Sequence, residues 1–298
     1  MKILLLGKNG QVGWELQRSL TPLGEVIALD RHNGGDLSDL SALAETVQRI
    51  APDVIVNAAA HTAVDKAESE TELAMTLNAY APQLLAQQAK KLNASLIHYS
   101  TDYVFDGSGD AAWCEDDAVA PLNVYGKSKL AGEQFIQQSG CRHLIFRTSW
   151  VYGARGGNFA KTMLRLASER DSLSVINDQF GAPTGADLIA DVSAHALRTM
   201  QTRPNVSGLY HLVANGVTNW HDYASLVIAV ARERGVAIKV APEAIHAVPS
   251  SAFVTPAQRP HNSRLNTQKL QETFNLTPPD WQLGVHRMLT EVLESRHS

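Results

Sequence analysis

The chain opens on a short, unbroken apolar run, Ile3-Leu4-Leu5-Leu6, that breaks at Gly7-Lys8-Asn9-Gly10. Runs of this kind mark strands buried on both faces, so residues 2–6 predict a strand. A helical period follows over 11–20 and stops before Pro22. The alternation continues with a strand at 25–29, a helix at 39–50, a strand at 53–57 and a helical stretch over 70–92. Pro82 lies inside that stretch and predicts a kink or two abutting helices. A strand at 95–99, a helix from Tyr125 to about Gly140 and a strand at 143–146 complete the series. Strand and helix in strict turn predict an α/β fold, a Rossmann-like doubly wound parallel sheet.

Two regions break the pattern. Residues 105–122 form a long loop carrying Asp106, Gly107, Gly109, Asp110 and Pro121, and loops of this length are usually functional or mobile. After residue 150 the periods loosen, with helices expected at 158–169, 185–200, 219–234 and 281–295 and strands near 173–176 and 208–213. Residues 241–264 are rich in proline and polar side chains and read as loop. The chain thus divides into 1–150 and a smaller C-terminal lobe, 151–298, with the possibility of crossing between them.

Composition narrows the class. The 298 residues are 44% hydrophobic and 19% charged, enough for a sizeable core. A net charge of −4 without a basic run gives no sign of a nucleic-acid partner. Cys114 and Cys141 are too few for a disulfide framework and form no CxxC pair, which fits reduced thiols in a cytoplasmic protein. The first apolar run is too short for a signal peptide, and no run approaches the roughly 18 residues of a membrane span.

The chemistry lies at the strand ends. Gly7, Gly10 and Gly13 follow the first strand and open a helix. Glycines there permit a tight turn and let backbone N–H groups approach a pyrophosphate at the positive helix end. The GxxGxxG spacing differs from the commoner GxGxxG, and a plain strand-to-helix turn is the alternative. Asp30 ends the second strand about 20 residues on, where a carboxylate can bind adenosine ribose hydroxyls and favour NAD. Arg31 follows and suits the 2′-phosphate of NADP, so the residues allow NADH or NADPH. The small residues Ala58-Ala59-Ala60 before His61 leave room for a ligand, although small residues also fill cores. Tyr125 and Lys129 stand four apart on one helix face. A cation so placed stabilises a phenolate and draws the tyrosine down from its usual pKa of about 10, useful in reducing a ketone. An exposed tyrosine beside a solvated lysine is the plain alternative. The chain has no GxSxG or HExxH motif to suggest a hydrolase or a zinc enzyme.

In order and context, GKNGQVG (7–13), Asp30, Asp36-Leu37, NAAAHT (57–62), HYSTDYVF (98–105), YGKSK (125–129) and RTSWVYG (147–153) resemble the extended short-chain dehydrogenase/reductase superfamily. AAHTAVDKAE (59–68), NDQFGAPTG (177–185) and RPHNSRLN (259–266) are similar to its reductases of dTDP-linked 4-keto sugars. The likeness covers almost the whole chain. It implies a dinucleotide-binding Rossmann domain over 1–150, a mainly substrate-binding lobe over 151–298, and reduction of dTDP-4-dehydro-L-rhamnose to dTDP-L-rhamnose. That product would serve surface polysaccharide.

The resemblance also implies roles for individual residues. Tyr125 is the general acid, Lys129 lowers its pKa and holds the nicotinamide ribose, and Thr101 bonds the carbonyl oxygen. Gly7, Gly10, Gln11, Val12 and Gly13 line the pyrophosphate, Asp30 and Arg31 the adenosine ribose, and Asp36 and Leu37 the adenine. Ala60, His61, Thr62 and Tyr99 line the rest of the cofactor cleft, while Asp102 and Trp150 touch the sugar. Some members are associated with Mg²⁺ at a dimer contact, and the corresponding carboxylates here are Glu15, Asp187 and Glu291. By themselves those residues read rather as solvated surface acids. A homodimer is expected. Tyr103 stands where a dehydratase would have its glutamate base. An epimerase of the same superfamily and a non-catalytic regulatory subunit remain as other readings.

Overall fold

The protein is described here by a computed structural model covering residues 1–294; the expected helix end at Ser295 lies outside the described residues. Five strands form in the order anticipated: β1 (Lys2–Leu6), β2 (Glu25–Leu29), β3 (Val54–Asn57), β4 (Ser95–Thr101) and β5 (Arg142–Thr148). Their connections are α1 (Gln11–Leu20), α2 (Leu40–Ile50), the run α3 (Val64–Ala67), α4 (Thr71–Met75) and α5 (Ala81–Leu92), and α6 (Val124–Ser139). The remaining strands are β6 (Val151–Tyr152), β7 (Leu173–Ile176), β8 (Phe180–Gly181), β9 (Thr184–Gly185), β10 (Gly208–His211), β11 (Thr218–Asn219) and β12 (Ile245–Val248). The remaining α-helices are α7 (Phe159–Glu169), α8 (Ala186–Thr202), α9 (Trp220–Glu233), α10 (Gln268–Phe274) and α11 (Trp281–Glu294).

Six strands make one parallel sheet in the order β10-β5-β4-β3-β1-β2. Successive side chains of a strand point to opposite faces, and β1 shows the result. Ile3 and Leu5 pack with Leu16 and Leu20 of α1 and Ile189 of α8, whereas Leu4 and Leu6 pack with Leu43 and Val47 of α2 and Leu85 of α5. The order reverses between β1 and β3, and that switch opens a cleft at the carboxyl ends of the strands. A further core around Tyr223, Trp281 and Val285 joins α9 to α11.

The structure sharpens the expected boundaries. The strand foreseen at 95–99 runs to Thr101, which therefore stands at the sheet's carboxyl edge. The strand foreseen at 208–213 ends at His211 and pairs with β5, so the chain returns to the main sheet. Residues 241–264 are not all loop: β12 pairs in parallel with β7. The polar His246 and the flanking Pro242 and Pro249 hide it from a hydrophobic pattern. The long loop is tied down, because Trp113 N–H donates to the Arg264 carbonyl and Asn266 N–H to the Trp113 carbonyl.

Pro82 acts through the turn before it. It lies in the first turn of α5, and residues Thr76–Tyr80 form a π-helix. A proline supplies no N–H to the preceding turn, and the widened turn absorbs that loss. Its Asn78 carbonyl lies against α6, where a Cβ built on Gly132 would come within 2.1 Å of it. Gly132→Ala is therefore expected to lower stability by about 2 kcal/mol or more through overpacking, read from the midpoint of urea unfolding. An unchanged midpoint would show that α6 can withdraw freely.

Candidate active site

The cleft at the switch point is a cavity of about 580 Å³ lined by Gly7, Gly10, Asp30, Arg31, Asp36, Leu37 and Ala60. Asn9, His32, Gly35, Ser38, Leu73 and Leu77 also line it, and sequence reasoning had not singled them out. The glycines differ in what they permit. Gly7 has φ 85°, and a Cβ there would meet the Ala58–Ala59 backbone. A Cβ on Gly13 would fall 2.0 Å from the Gly7 carbonyl, so this glycine lets α1 approach β1. A Cβ on Gly10 would touch only the Gly7 carbonyl, at 3.4 Å; Gly10 is the N-cap of α1. The first-turn N–H groups, Gln11, Val12 and Gly13, have no partners inside the helix and form a ready anion site. The Gln11 side chain turns away, its amide donating to Val151 O at 3.5 Å and accepting from Asn158 at 3.1 Å.

Asp30 accepts from His32 N–H at 2.9 Å and from Asn9 at 2.8 Å, and Lys8 stands 3.4 Å away. The His32 bond is the largest of the effects that lower its carboxyl below the usual range. Asp36 is lowered too, chiefly by the Ser38 hydroxyl and N–H. Three residues expected in the cleft are placed otherwise. Tyr99 points through the sheet into the opposite core, its hydroxyl donating to Ser193 at 2.8 Å. Thr62 is exposed and does not line the cavity. His61 is buried, held by Asn78 through its backbone N–H and by Glu70 through Nε2 at 2.8 Å.

The proton-transfer groups come together where β4 meets α6. Asn123 caps α6 by accepting from Gly126 N–H at 2.8 Å, and it donates to the Gln258 carbonyl at 2.7 Å. Gly126 allows the Tyr103 carbonyl to sit where a Cβ would be, 2.2 Å from its ideal position. That contact brings Thr101 to Tyr125. The Thr101 hydroxyl donates to Asp102 Oδ1 at 3.0 Å, and the Tyr125 phenol is within its hydrogen-bonding reach. Tyr103 packs edge-on against Tyr125 with ring centroids 5.6 Å apart.

Burial controls the charges here. It pushes the Tyr125 phenol up to about 12, with the Thr101 bond opposing and the Asp102 charge adding to the rise. It pushes the Asp102 carboxyl up to about 6, opposed by Ser263 and Thr101. It brings Lys129 down to about 8, opposed by Glu133. The expectation that Lys129 lowers the phenol is thus not met in the free site. Desolvation is the largest effect on the phenol, and Lys129 Nζ donates instead to the Tyr99 carbonyl at 2.5 Å. The phenol therefore stays protonated at neutral pH, as a proton donor requires.

A second cavity of about 870 Å³ shares Tyr103 with this site. Phe159, Trp220, Asp178, Ser250, Arg259 and His261 help to line it. Asp65 holds Arg259 at 2.7 Å. Trp150 has φ 48°, a backbone conformation rare for a bulky residue and a mark of a functional position. Its ring stacks on Trp220 with centroids 3.7 Å apart, and Trp220 donates to Gln179 at 3.1 Å. Nothing in the sequence pattern distinguishes Trp220 from a core aromatic. Arg259 and His261 were visible only as part of RPHNSRLN.

The three candidate magnesium ligands do not converge. Glu15 pairs with Arg18 at 3.4 Å, while Asp187 and Glu291 flank Arg287 at 3.7 and 3.6 Å. Among the described residues no group of three His, Cys, Asp or Glu side chains is placed to hold a metal ion.

A parallel sheet with a glycine-rich turn, an acidic group at the second strand's end and a half-buried tyrosine one helical turn from a buried lysine define a Rossmann-type oxidoreductase. Within that class the chain belongs to the family described as the RmlD substrate binding domain, whose sequence model matches residues 1–294. It is 62% identical to the dTDP-4-dehydrorhamnose reductase of Shigella flexneri and 61% identical to that of Escherichia coli K12, over 98% of each chain. The crystal structure of dTDP-4-dehydrorhamnose reductase from Bacillus anthracis in complex with NADP superposes with a TM-score of 0.87 at 34% identity, covering 97% of this chain and 99% of that one.

Asp102 gives a test of these electrostatics. Its carboxyl keeps a proton to about pH 6 when folded but only to 3.8 at its ordinary value, so stability falls as pH rises between them. Asp102→Asn is expected to be more stable than the parent at pH 8 by about 3 kcal/mol, and to lose that advantage by about pH 4. Melting curves at the two pH values read it; an equal difference at both would mean that the Asp102 charge is not strained.

Proposed function

We propose that this chain reduces the 4-keto group of dTDP-4-dehydro-L-rhamnose to dTDP-L-rhamnose with NADPH or NADH. The observation that carries the reading is the placing of Tyr125 beside Thr101 at the carboxyl end of β4, with Lys129 one helical turn on. The cofactor supplies the hydride to the ketone carbon. Gly7 and Gly13 let the start of α1 close on β1 and the Ala58–Ala59 backbone, where a Cβ would clash, and this sets the N–H groups of Gln11, Val12 and Gly13 at the cleft in an arrangement that fits a diphosphate. Gly10 borders it, while Asp30, Arg31, Asp36 and Leu37 suit the adenosine and Ala60 the inner cleft.

Tyr125 gives its phenolic proton to the ketone oxygen as that oxygen gains charge. Thr101 turns its hydroxyl from Asp102 to the same oxygen, which polarises the carbonyl. Arg259 supplies positive charge and His261 a ring N–H to the second cavity, which suits a nucleoside diphosphate, and Trp220 and Phe159 offer aromatic faces to its base. Asp102 and Trp150 border the sugar between them. The names of the relatives support the sugar and the nucleotide. A cytoplasmic homodimer feeding surface polysaccharide such as O-antigen completes the proposal. Magnesium is left out of it, since arginines hold the carboxylates.

Purified protein offered dTDP-4-dehydrorhamnose is expected to consume NADPH or NADH mole for mole with product, read by loss of the reduced cofactor's absorbance. Turnover of another nucleotide keto sugar, but not of this one, would move the assignment to a neighbouring activity. Tightly retained NAD with no net consumption would favour an epimerase. Tyr125→Phe is expected to lower kcat by about a thousandfold with cofactor binding intact. Lys129→Met is expected to lower kcat and to weaken cofactor binding as well. Near-parental values for both variants would leave only a non-catalytic role.

A further inference from the structure

Lys129 Nζ touches a second group that the reaction above does not use. His98 Nε2 lies 3.3 Å from it, and His98 Nδ1 lies 3.2 Å from the Asn57 amide nitrogen. Asn57 Oδ1 in turn accepts from Ala59 N–H at 3.2 Å. The three side chains are buried to 2% exposure or less.

Both ends of this chain are fixed by covalent structure. Ala59 N–H can only donate, and the Tyr99 carbonyl, which Nζ also contacts, can only accept. Asn57 must therefore turn its oxygen to Ala59 and its NH₂ to His98. His98 Nδ1 then accepts, and a neutral imidazole carries its proton on Nε2, aimed at Nζ. An imidazolium is no alternative, because burial alone, the larger cause, holds His98 below its usual range, and the Lys129 charge only adds to this while it is present. A neutral amine has a lone pair for the Nε2 proton; an ammonium has none. Every link from Ala59 to Tyr99 is made only when Lys129 is neutral. Protonating it breaks one link, or reverses Asn57 and sets its NH₂ against Ala59 N–H.

We propose that Asn57 and His98 are positioning residues that ease the loss of a proton from Lys129. After Tyr125 has protonated the product, an Nζ–H bond breaks and a phenol O–H bond forms. The amine left behind accepts the His98 Nε2–H, and solvent restores the proton to Lys129 between turnovers. The charged groups on the elements packed against α6 are otherwise engaged. Glu133, one turn on, is bound by Arg147 of β5 at 2.7 Å. Glu70 goes to His61, Asp65 to Arg259, Glu68 to Val124 N–H, and Asp102 to Thr101. Tyr125 is the titratable group one turn back, and the Tyr99 phenol faces Ser193. Burial brings Lys129 near neutrality with Glu133 opposing, in keeping with this arrangement.

The inference rests on the place of Lys129 in the proposed site, but its test needs no turnover. Cofactor-free protein carrying ¹⁵N-histidine and ¹³C-lysine is titrated by NMR. Above the Lys129 midpoint, His98 is expected to hold its proton on Nε2; a proton on Nδ1 there overturns the proposal. In Asn57→Asp the carboxylate accepts Nδ1–H, which frees Nε2 to accept from an ammonium. In His98→Gln an amide oxygen can turn to Nζ. Each is expected to raise the Lys129 midpoint by about one pH unit, the tenfold shift that one buried hydrogen bond is worth. The rise from Asn57→Asp is expected to vanish when His98→Leu is added. Its survival in the double variant would mean simple charge attraction and overturn the proposal, as would unmoved midpoints in both single variants. Melting curves confirm that each variant is folded. In turnover assays the alkaline limb of kcat/KM should move with the midpoint.

Discussion

Three polar side chains lie in one stripe down α6. Tyr125, Lys129 and Glu133 stand four residues apart, so each comes one turn above the next on the face pressed to β4 and β5. Burying an ammonium and a carboxylate costs several kcal/mol each unless both are bonded, and this stripe dictates what surrounds it. Arg147 must leave β5 toward Glu133, where it makes bonds of 2.7–3.2 Å. The Tyr99 carbonyl accepts from Lys129 at 2.5 Å. Gly126 and Gly132 must lack side chains, so that the Tyr103 and Asn78 carbonyls reach the helix backbone. The stripe holds the helix and equips it for proton transfer at the same time.

Much of this was legible because parallel sheets write themselves as short apolar runs and crossover helices as longer periods. The strands β1 to β5, the glycine turn and the Tyr125–Lys129 pair all followed from local pattern. Tyr99 shows where local reading failed. It was set in the cofactor cleft, yet in β4 it shares its side with Ile97, which packs toward α8. His98 shares its side with Leu96, on the face toward α5 and α6. Alternation along the strand therefore marked His98 as the neighbour of Lys129. The second cavity was less legible, since Trp220, Arg259 and Ser250 converge from segments far apart in sequence. The pairing of β12 with β7 escaped for a like reason: four residues with a polar member at their centre carry little signal alone.

The two cavities differ as their tasks do. The first is built on backbone: glycines, strand ends and a helix terminus, features that depend on close approach and little on side-chain identity. The second is built on side chains, with Trp150 and Trp220 stacked beside it and Trp150 held in a left-handed conformation. Strain of that kind persists only where neighbours overdetermine the residue, and here Gly181 packs against its ring as well. A scaffold of the first kind serves many substrates; the second kind selects among them.

The pairing of β10 with β5 bears on how the chain is made. A ribosome releases β1 to β5 with their helices long before Gly208–His211 emerges. Until then the outer edge of β5 offers its unpaired backbone groups, alongside Leu144 and Phe146, both wholly buried in the finished protein. An open, apolar strand edge is a template for pairing with another chain. The nascent protein thus passes through an interval in which this strand waits for a partner not yet synthesised. The order of strands in the sheet makes slow elongation over residues 149–207 a hazard to yield, although the completed fold is unaffected by it.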